Sequence, residues 1–368
     1  MILTRIEEIK EGDVLAKDIF DASGNILLRG DKKLNISDIK KLKRYGITNV
    51  YLKMNKIVRD KSIVRDDVKK VAVNTAKKCV ETFYKSADDE TDNDDKNEVK
   101  LLDESEIINL VDNIINDIFS KDDLFISLRD IRKLDDQLFF HLTNTSILSI
   151  AIAKILNYSK DKLKVLGLGA FLHDIGKIKV PDRILNKDGE LSDEEFAEIQ
   201  KHPTYSYEIL KDYEAIPEEV AIIVHQHHEK CNGSGYPQGL KGDDMHPLAK
   251  IVAIADVFDA LQNNRVYRKG LENKKVINIL SSMAEDGELD SKIVNKLSNH
   301  ILPFPVGARI RLYNDKSNNL LEGVVIDVSK NIQRPVVQAV KINNRKYDMD
   351  LVIDLEEEMS NFEIREVV

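Results

Sequence analysis

Apolar positions change their rhythm three times along the chain of 368 residues. Near the N-terminus short apolar runs alternate with turn residues. Residues 13–19 and 25–28 read as strands on either side of Asp21-Ala22-Ser23-Gly24. Residues 37–45 have helical spacing, with Ile39 and Leu42 on one face and Gly46 as a C-terminal stop. Residues 47–52 read as a returning strand, so 1–55 predict a small α+β unit. Residues 56–86 then form a charged helix with a thin apolar stripe of Val71, Ala76, Val80 and Phe83. That stripe suits a solvated connecting helix, and a dimer-forming helix is the other use for it. Residues 88–98 are acidic and almost without apolar side chains, the composition of a linker or exposed loop.

A longer helical region follows, and the expected domain spans 121–302, with 56–120 as a helical connector. Ser192 with Glu195 forms a capping box ahead of a short helix expected to end at His202-Pro203. Pro217 fits the first turn of a helix running to about His228, and residues 248–261 predict a third, strongly apolar helix. From about Leu302 the period becomes two, over 308–312, 323–328 and 336–340. Residues 303–368 therefore predict a small β-rich unit, with a barrel as one way to close it. The fold class is mainly α: an all-helical bundle flanked by a small α+β N-terminal unit and a small β-rich C-terminal unit.

Charge narrows the function. The formal net charge is -9, which argues against a DNA or RNA duplex as partner, since duplex binders present a basic field. It leaves room for a small anion, because bound cations dominate the field of a metal site. No run of about 20 apolar residues marks a membrane span, and the first ten residues lack a signal-peptide core. Cys79 and Cys231 form no patterned pair, so a thiolate zinc site is not expected and a reducing cytoplasm is.

Histidine placement is the strongest chemical signal. Seven of the 8 histidines lie between His141 and His246. His141, His173 with Asp174, His202, the pair His227-His228, and Asp256 are phased along helical segments. Imidazole is the commonest metal ligand and a carboxylate can bridge two cations. Asp174 and Asp256 both sit in apolar surroundings, where a charge is costly unless paired or metal-bound.

Several blocks around these positions resemble the HD-GYP family of metal-dependent phosphohydrolases. Phe171-Leu172-His173-Asp174-Ile175-Gly176-Lys177 resembles the HD signature. His227-His228-Glu229-Lys230-Cys231-Asn232-Gly233-Ser234-Gly235-Tyr236-Pro237 is similar to the second half of the HD-GYP signature. Ala255-Asp256-Val257-Phe258-Asp259-Ala260-Leu261, followed by Arg265-Val266-Tyr267-Arg268, is similar to the closing block. The resemblance implies an HD-domain bundle that hydrolyses cyclic di-GMP to pGpG, or on to GMP, through a metal-activated hydroxide. It implies two divalent metals, iron or manganese. His141, His173, Asp174 and Asp256 would hold one, and Asp174 would bridge to a second held by His202, His227 and His228. Asp174 and Lys177 would be catalytic, and Lys177, Tyr236, Arg265 and Arg268 would contact the substrate.

The chain departs from the family pattern in places. Gln137, one helical turn before His141, stands where some members carry a Glu that supports a third metal; a neutral amide is a poorer ligand for a hard cation. Asn232 replaces the usual Asp, and Gln262 and Val266 replace the usual Thr and Pro. These departures bear on substrate preference and rate. Two rivals stay open: a phosphodiesterase for another cyclic dinucleotide, such as cyclic GMP-AMP, and a sensor that binds cyclic di-GMP with little turnover. His225 and His246 match no ligand position.

Overall fold

The computed structural model describes residues 2–7, 9–20, 26–53, 63–88, 104–121, 137–187, 189–211, 213–262, 271–328, 331–343, 345–346, 351–357 and 361–367. They fall into two compact units, one holding the described parts of 1–62 and 302–368, the other those of 63–132 and 137–301. Arg265, Val266 and Arg268, most of the acidic segment 88–98, and the side chains of Phe83 and Gln137 lie outside the described residues.

The N-terminal part runs β1 (Ile2–Arg5), β2 (Ile19–Phe20), β3 (Ile26–Leu28), α1 (Ile36–Arg44) and β4 (Asn49–Leu52). Asn35 and Asp38 cap α1 reciprocally, satisfying amides that the first helical turn leaves without partners. Leu15, Leu34 and Leu42 fill the core here. The strand expected over 13–19 is mostly irregular. Val14 and Leu15 make single bridges to Lys33 and Leu52, because β1, which the charged N-terminal stretch did not suggest, takes the ladder beside β4.

The helical unit contains α2 (Asp66–Asp88), α3 (Glu104–Phe119), α4 (Gln137–Ile155), α5 (Lys160–Leu172), a 3-10 turn (Ile175–Lys179), α6 (Asp182–Leu185), α7 (Asp193–Ile199), α8 (His202–Leu210), α9 (Glu218–Gln226), α10 (Pro247–Gln262), α11 (Asn273–Glu285) and α12 (Ser291–Ser298). One apolar core runs through it. α4 packs on α5 and α10. Along Leu138–Ile155 it is long and apolar enough to cross a membrane by length and composition, yet 78% of the stretch is buried inside the protein. Gly167 on α5 permits close packing: a Cβ there would lie 2.7 Å from Val111 Cγ1.

The described residues of the α2 region and of α3 pack into the core rather than forming a solvated connecting helix. Val64, Val68, Ala72, Ala76 and Val80 of the α2 region, and Ile107, Leu110, Val111, Ile114 and Ile118 of α3, belong to the main core. The buried stripe on α2 recurs every fourth residue. Val71, assigned to that stripe from sequence, is 50% exposed. A second boundary also moves. The helix capped by Ser192 and Glu195 ends at Ile199, and His202 opens α8 with Pro203 in its first turn.

The C-terminal sheet is antiparallel, ordered β10 (Phe362–Val367), β5 (Arg309–Asn314), β6 (Asn319–Asp327), β7 (Val336–Ile342) and β8 (Arg345–Lys346), with β9 (Val352–Asp354) also on β7. Ile310, Leu312, Val325, Val337 and Leu355 fill its core. The β6–β7 register shifts between Glu322 and Gly323. A Cβ on Gly323 would lie 2.3 Å from Val337 Cγ1, so the bulge needs glycine. Among the described residues no ladder joins β10 to β8 or β9.

Candidate metal centre

The chain reverses sharply where α5 ends, and that reversal creates the centre. His173 caps α5, Asp174 leads into the 3-10 turn, and Gly176 follows. A Cβ on Gly176 would lie 2.2 Å from His202 O and 2.4 Å from Ser206 N. Only glycine lets α8 come this close. Ser206 Oγ then accepts from Gly176 N at 2.8 Å and donates to His173 O at 2.9 Å, stitching α8 to the turn.

Three of the histidines are oriented by the carbonyl one helical turn back. His173 Nδ1 donates to Ala170 O at 2.8 Å, His202 Nδ1 to Ile199 O at 2.8 Å, and His227 Nδ1 to Val224 O at 2.7 Å. A carbonyl only accepts, so in each ring Nδ1 carries the proton and Nε2 keeps its lone pair. His141 Nδ1 faces Asp259 Oδ2 at 2.7 Å, and that carboxylate orients its ring. Each Nε2 faces inward. His173 Nε2 lies 3.2 Å from His141 Nε2, and His202 Nε2 lies 3.3 Å from His227 Nε2.

Asp174 stands between these two pairs. Its Oδ1 lies 3.1 Å from His202 Nε2 and 3.8 Å from His227 Nε2. Its Oδ2 lies 3.4 Å from His173 Nε2 and 3.7 Å from His141 Nε2. Asp256 closes the first set, with Oδ1 at 3.1 Å from His141 Nε2 and Oδ2 at 3.8 Å from His228 Nδ1. The donor atoms form two groups, Asp174 with His202, His227 and His228, and His141 with His173 and Asp256.

These residues fit divalent cations. Imidazole nitrogens and carboxylate oxygens converge across about 3–4 Å, a concentration of donor atoms that a cation can satisfy at once. Asp174 Oδ1 is buried without a hydrogen-bond partner, and an orphaned buried carboxylate oxygen is costly. Burial lowers the pKa of His173 and His227, and that of His228 to about 3, which keeps these rings neutral and ligand-ready. For Asp174, burial pushes upward, but the adjacent Lys177 ammonium holds the carboxyl well below its usual range. His141 behaves differently. Burial opposes its charge, yet Asp256 and Asp259 raise its pKa to about 10, the field that would equally draw a cation.

Lys177 Nζ sits 2.6 Å from Asp174 Oδ2. Tyr236 covers the other side, its ring 4.7 Å from that of His228 at an interplanar angle of 32°. The Tyr236 loop needs Gly235, where a Cβ would lie 2.3 Å from Lys230 N, and Tyr236-Pro237 is a cis peptide. Its anchor is Glu229, which carries no assigned role from sequence. Its buried carboxylate accepts from the amides of Gln238 at 2.6 Å, Gly239 at 3.1 Å and Leu240 at 2.9 Å. Asn232 makes a turn within the same loop, accepting from Ser234 N at 3.0 Å. Gln262 is buried and donates to Asn273 on α11, away from the two donor groups. His225 stacks on Tyr207 and His246 pairs with Glu219 at 3.0 Å; neither joins the donor groups. Gln137 opens α4 one turn before His141.

Residues 121–293 match the family model for the HD domain. The chain is 33% identical over 224 residues to a cyclic di-GMP phosphodiesterase of Pseudomonas aeruginosa, covering 61% of this chain and 53% of that protein. It is 36% identical over 158 residues to 3'3'-cGAMP-specific phosphodiesterase 1 of Vibrio cholerae, covering 42% of this chain and 36% of that protein. It therefore spans about half or less of these relatives' own lengths. A solved HDG"Y"P protein from Bdellovibrio bacteriovorus aligns with TM-score 0.51 at 21% identity, covering 81% of this chain and 98% of that one. At that identity the likeness shows a shared fold.

Proposed function

We propose, from a chain whose residues 121–293 match the family model for the HD domain, that it is a metal-dependent phosphodiesterase that opens cyclic di-GMP to pGpG, with GMP as the product of a further cut. The observation that carries this reading is Asp174. One buried carboxylate turns each oxygen toward a different set of inward-facing donors, the arrangement for two cations sharing a bridge. His141, His173, Asp174 and Asp256 would hold one ion, and Asp174, His202, His227 and His228 the other. Iron or manganese suits this mixture of imidazole and carboxylate. With an amide at Gln137, two ions serve rather than three.

Bound divalent cations supply Lewis acidity and a nucleophile at neutral pH. The chain's own residues do the rest. Lys177, held 2.6 Å from Asp174 but one quarter exposed, can turn its ammonium toward a phosphate oxygen as charge develops there. Tyr236, fixed in place by Gly235 and Glu229, offers a ring face to a nucleobase at the rim of the centre. Arg265 and Arg268 would add planar forks for the phosphates. Cys79 and Cys231 form no disulfide with each other, which supports a cytoplasmic setting.

Similarity to the Vibrio cholerae enzymes favours one second reading, a 3'3'-cGAMP phosphodiesterase. A product time course separates the two. Protein prepared without oxygen and supplied with ferrous iron or manganese is given cyclic di-GMP and cyclic GMP-AMP in parallel. Faster release of pGpG from cyclic di-GMP supports the first reading, and faster opening of the hybrid dinucleotide the second. Tight binding of either nucleotide with no product from a loaded centre would mean a sensor.

A further inference from the structure

We propose that Asp259 is a positioning residue that makes the two cation positions unequal, so that the one at His141, His173 and Asp256 fills first and empties last. The inference rests on the metal-centre reading above.

Asp259 lies one turn past Asp256 on α10, so the two carboxylates share a face. It is 1% exposed. Its Oδ2 accepts from His141 Nδ1 at 2.7 Å and its Oδ1 from Asn144 Nδ2 at 2.9 Å. His141 and Asn144 are themselves one turn apart on α4. Two helices thus grip one carboxylate, and that carboxylate fixes both the tautomer and the aim of the His141 ring.

Three of the other histidines back onto neutral groups instead. His173, His202 and His227 back onto the neutral carbonyls of Ala170, Ile199 and Val224. An anionic partner makes an imidazole a stronger donor than a carbonyl does, and it adds negative charge near the cation. Asp174 belongs to the second donor group and turns Oδ2 toward His173 and His141 of the first. Beyond it, the first has Asp256 as a direct donor and Asp259 behind its histidine, whereas the second adds only imidazoles. Charge count and ligand basicity both favour the first position.

Manganese titration of metal-free protein, read by equilibrium dialysis and by the spectroscopic signal of free Mn²⁺, tests this. The wild-type chain should load in two resolved steps. Asp259→Asn keeps the shape and removes the charge; it should weaken the tighter step by about 10–100-fold, the usual effect of losing such a partner, and leave the weaker step in place. His202→Ala should do the reverse, abolishing the weaker step and sparing the tighter one. A merely structural role for Asp259 would shift both steps together. If Asp259→Asn fails to fold by circular dichroism, the wild-type and His202→Ala titrations still decide. Loss of the tighter step in His202→Ala, or a single step of two equal ions in the wild type, overturns the assignment while leaving the two-metal centre intact. A wild-type chain that takes up no ion overturns both.

Discussion

His141, His173 and Asp256 stand on or at the end of α4, α5 and α10, whose flanks are buried in the main core. His202, His227 and His228 stand at the ends of α8 and α9, helices of 9 residues each. The first set is held by packing of long apolar helices and by one buried carboxylate behind His141. The second is held by short-range hydrogen bonds, by a glycine that admits α8, and by the loop that Glu229 pins. Similar donor atoms therefore rest on two kinds of support. One should resist local change, and the other should yield to a single added methyl group.

The largest effect should come from Asp174, the residue proposed to serve both sets. Asp174→Ala is expected to cut turnover by more than the roughly 100-fold that loss of an outer-shell partner costs, and to lower metal content at both positions. Steady-state rates and metal analysis check it; retained turnover with full metal content would dissolve the comparison. Gly176→Ala should come next. Its Cβ would collide with the backbone of α8, so it should cost about 1–3 kcal/mol in a denaturant titration and weaken metal at His202 more than at His141.

Glu229→Gln acts on the second support alone. It removes the charge that gathers three loop amides, a group of bonds worth about 1.5–3 kcal/mol for each one lost. Metal at His202, His227 and His228 should weaken while metal at His141 stays, and KM should rise through the displaced Tyr236; an unchanged KM would detach the loop from substrate binding. The smallest change is Val71→Ser, on the exposed face of α2. Stability should stay within about 0.5 kcal/mol, and a larger loss would mean that this face is covered by something.

Local signals made the donor positions legible. His173-Asp174, His227-His228 and Asp256 each lie in a compact block of sequence, and the apolar neighbours of the two aspartates already marked their charges as needing partners. What stayed hidden depends on distant partners or on phase. Asp259 and Asn144 meet across two helices, and Ser206 reaches back to the turn at Gly176. Glu229 looks like one more polar residue until its loop folds over it. On α2 a stripe drawn through the exposed Val71 misses the buried Val68 and Ala72, and that difference in phase separates a core helix from a connector. In the tail, period two announced strands, but the order of the sheet and the bulge at Gly323 arise from pairing that no single strand records.

Metal bound per chain, measured side by side for the wild-type protein and Asp174→Ala after anaerobic loading and removal of free ion, tests the central claim most directly. Two ions in the wild type and the loss of most of both in the variant is the predicted result. Undiminished metal in the variant would contradict a centre built around a shared carboxylate.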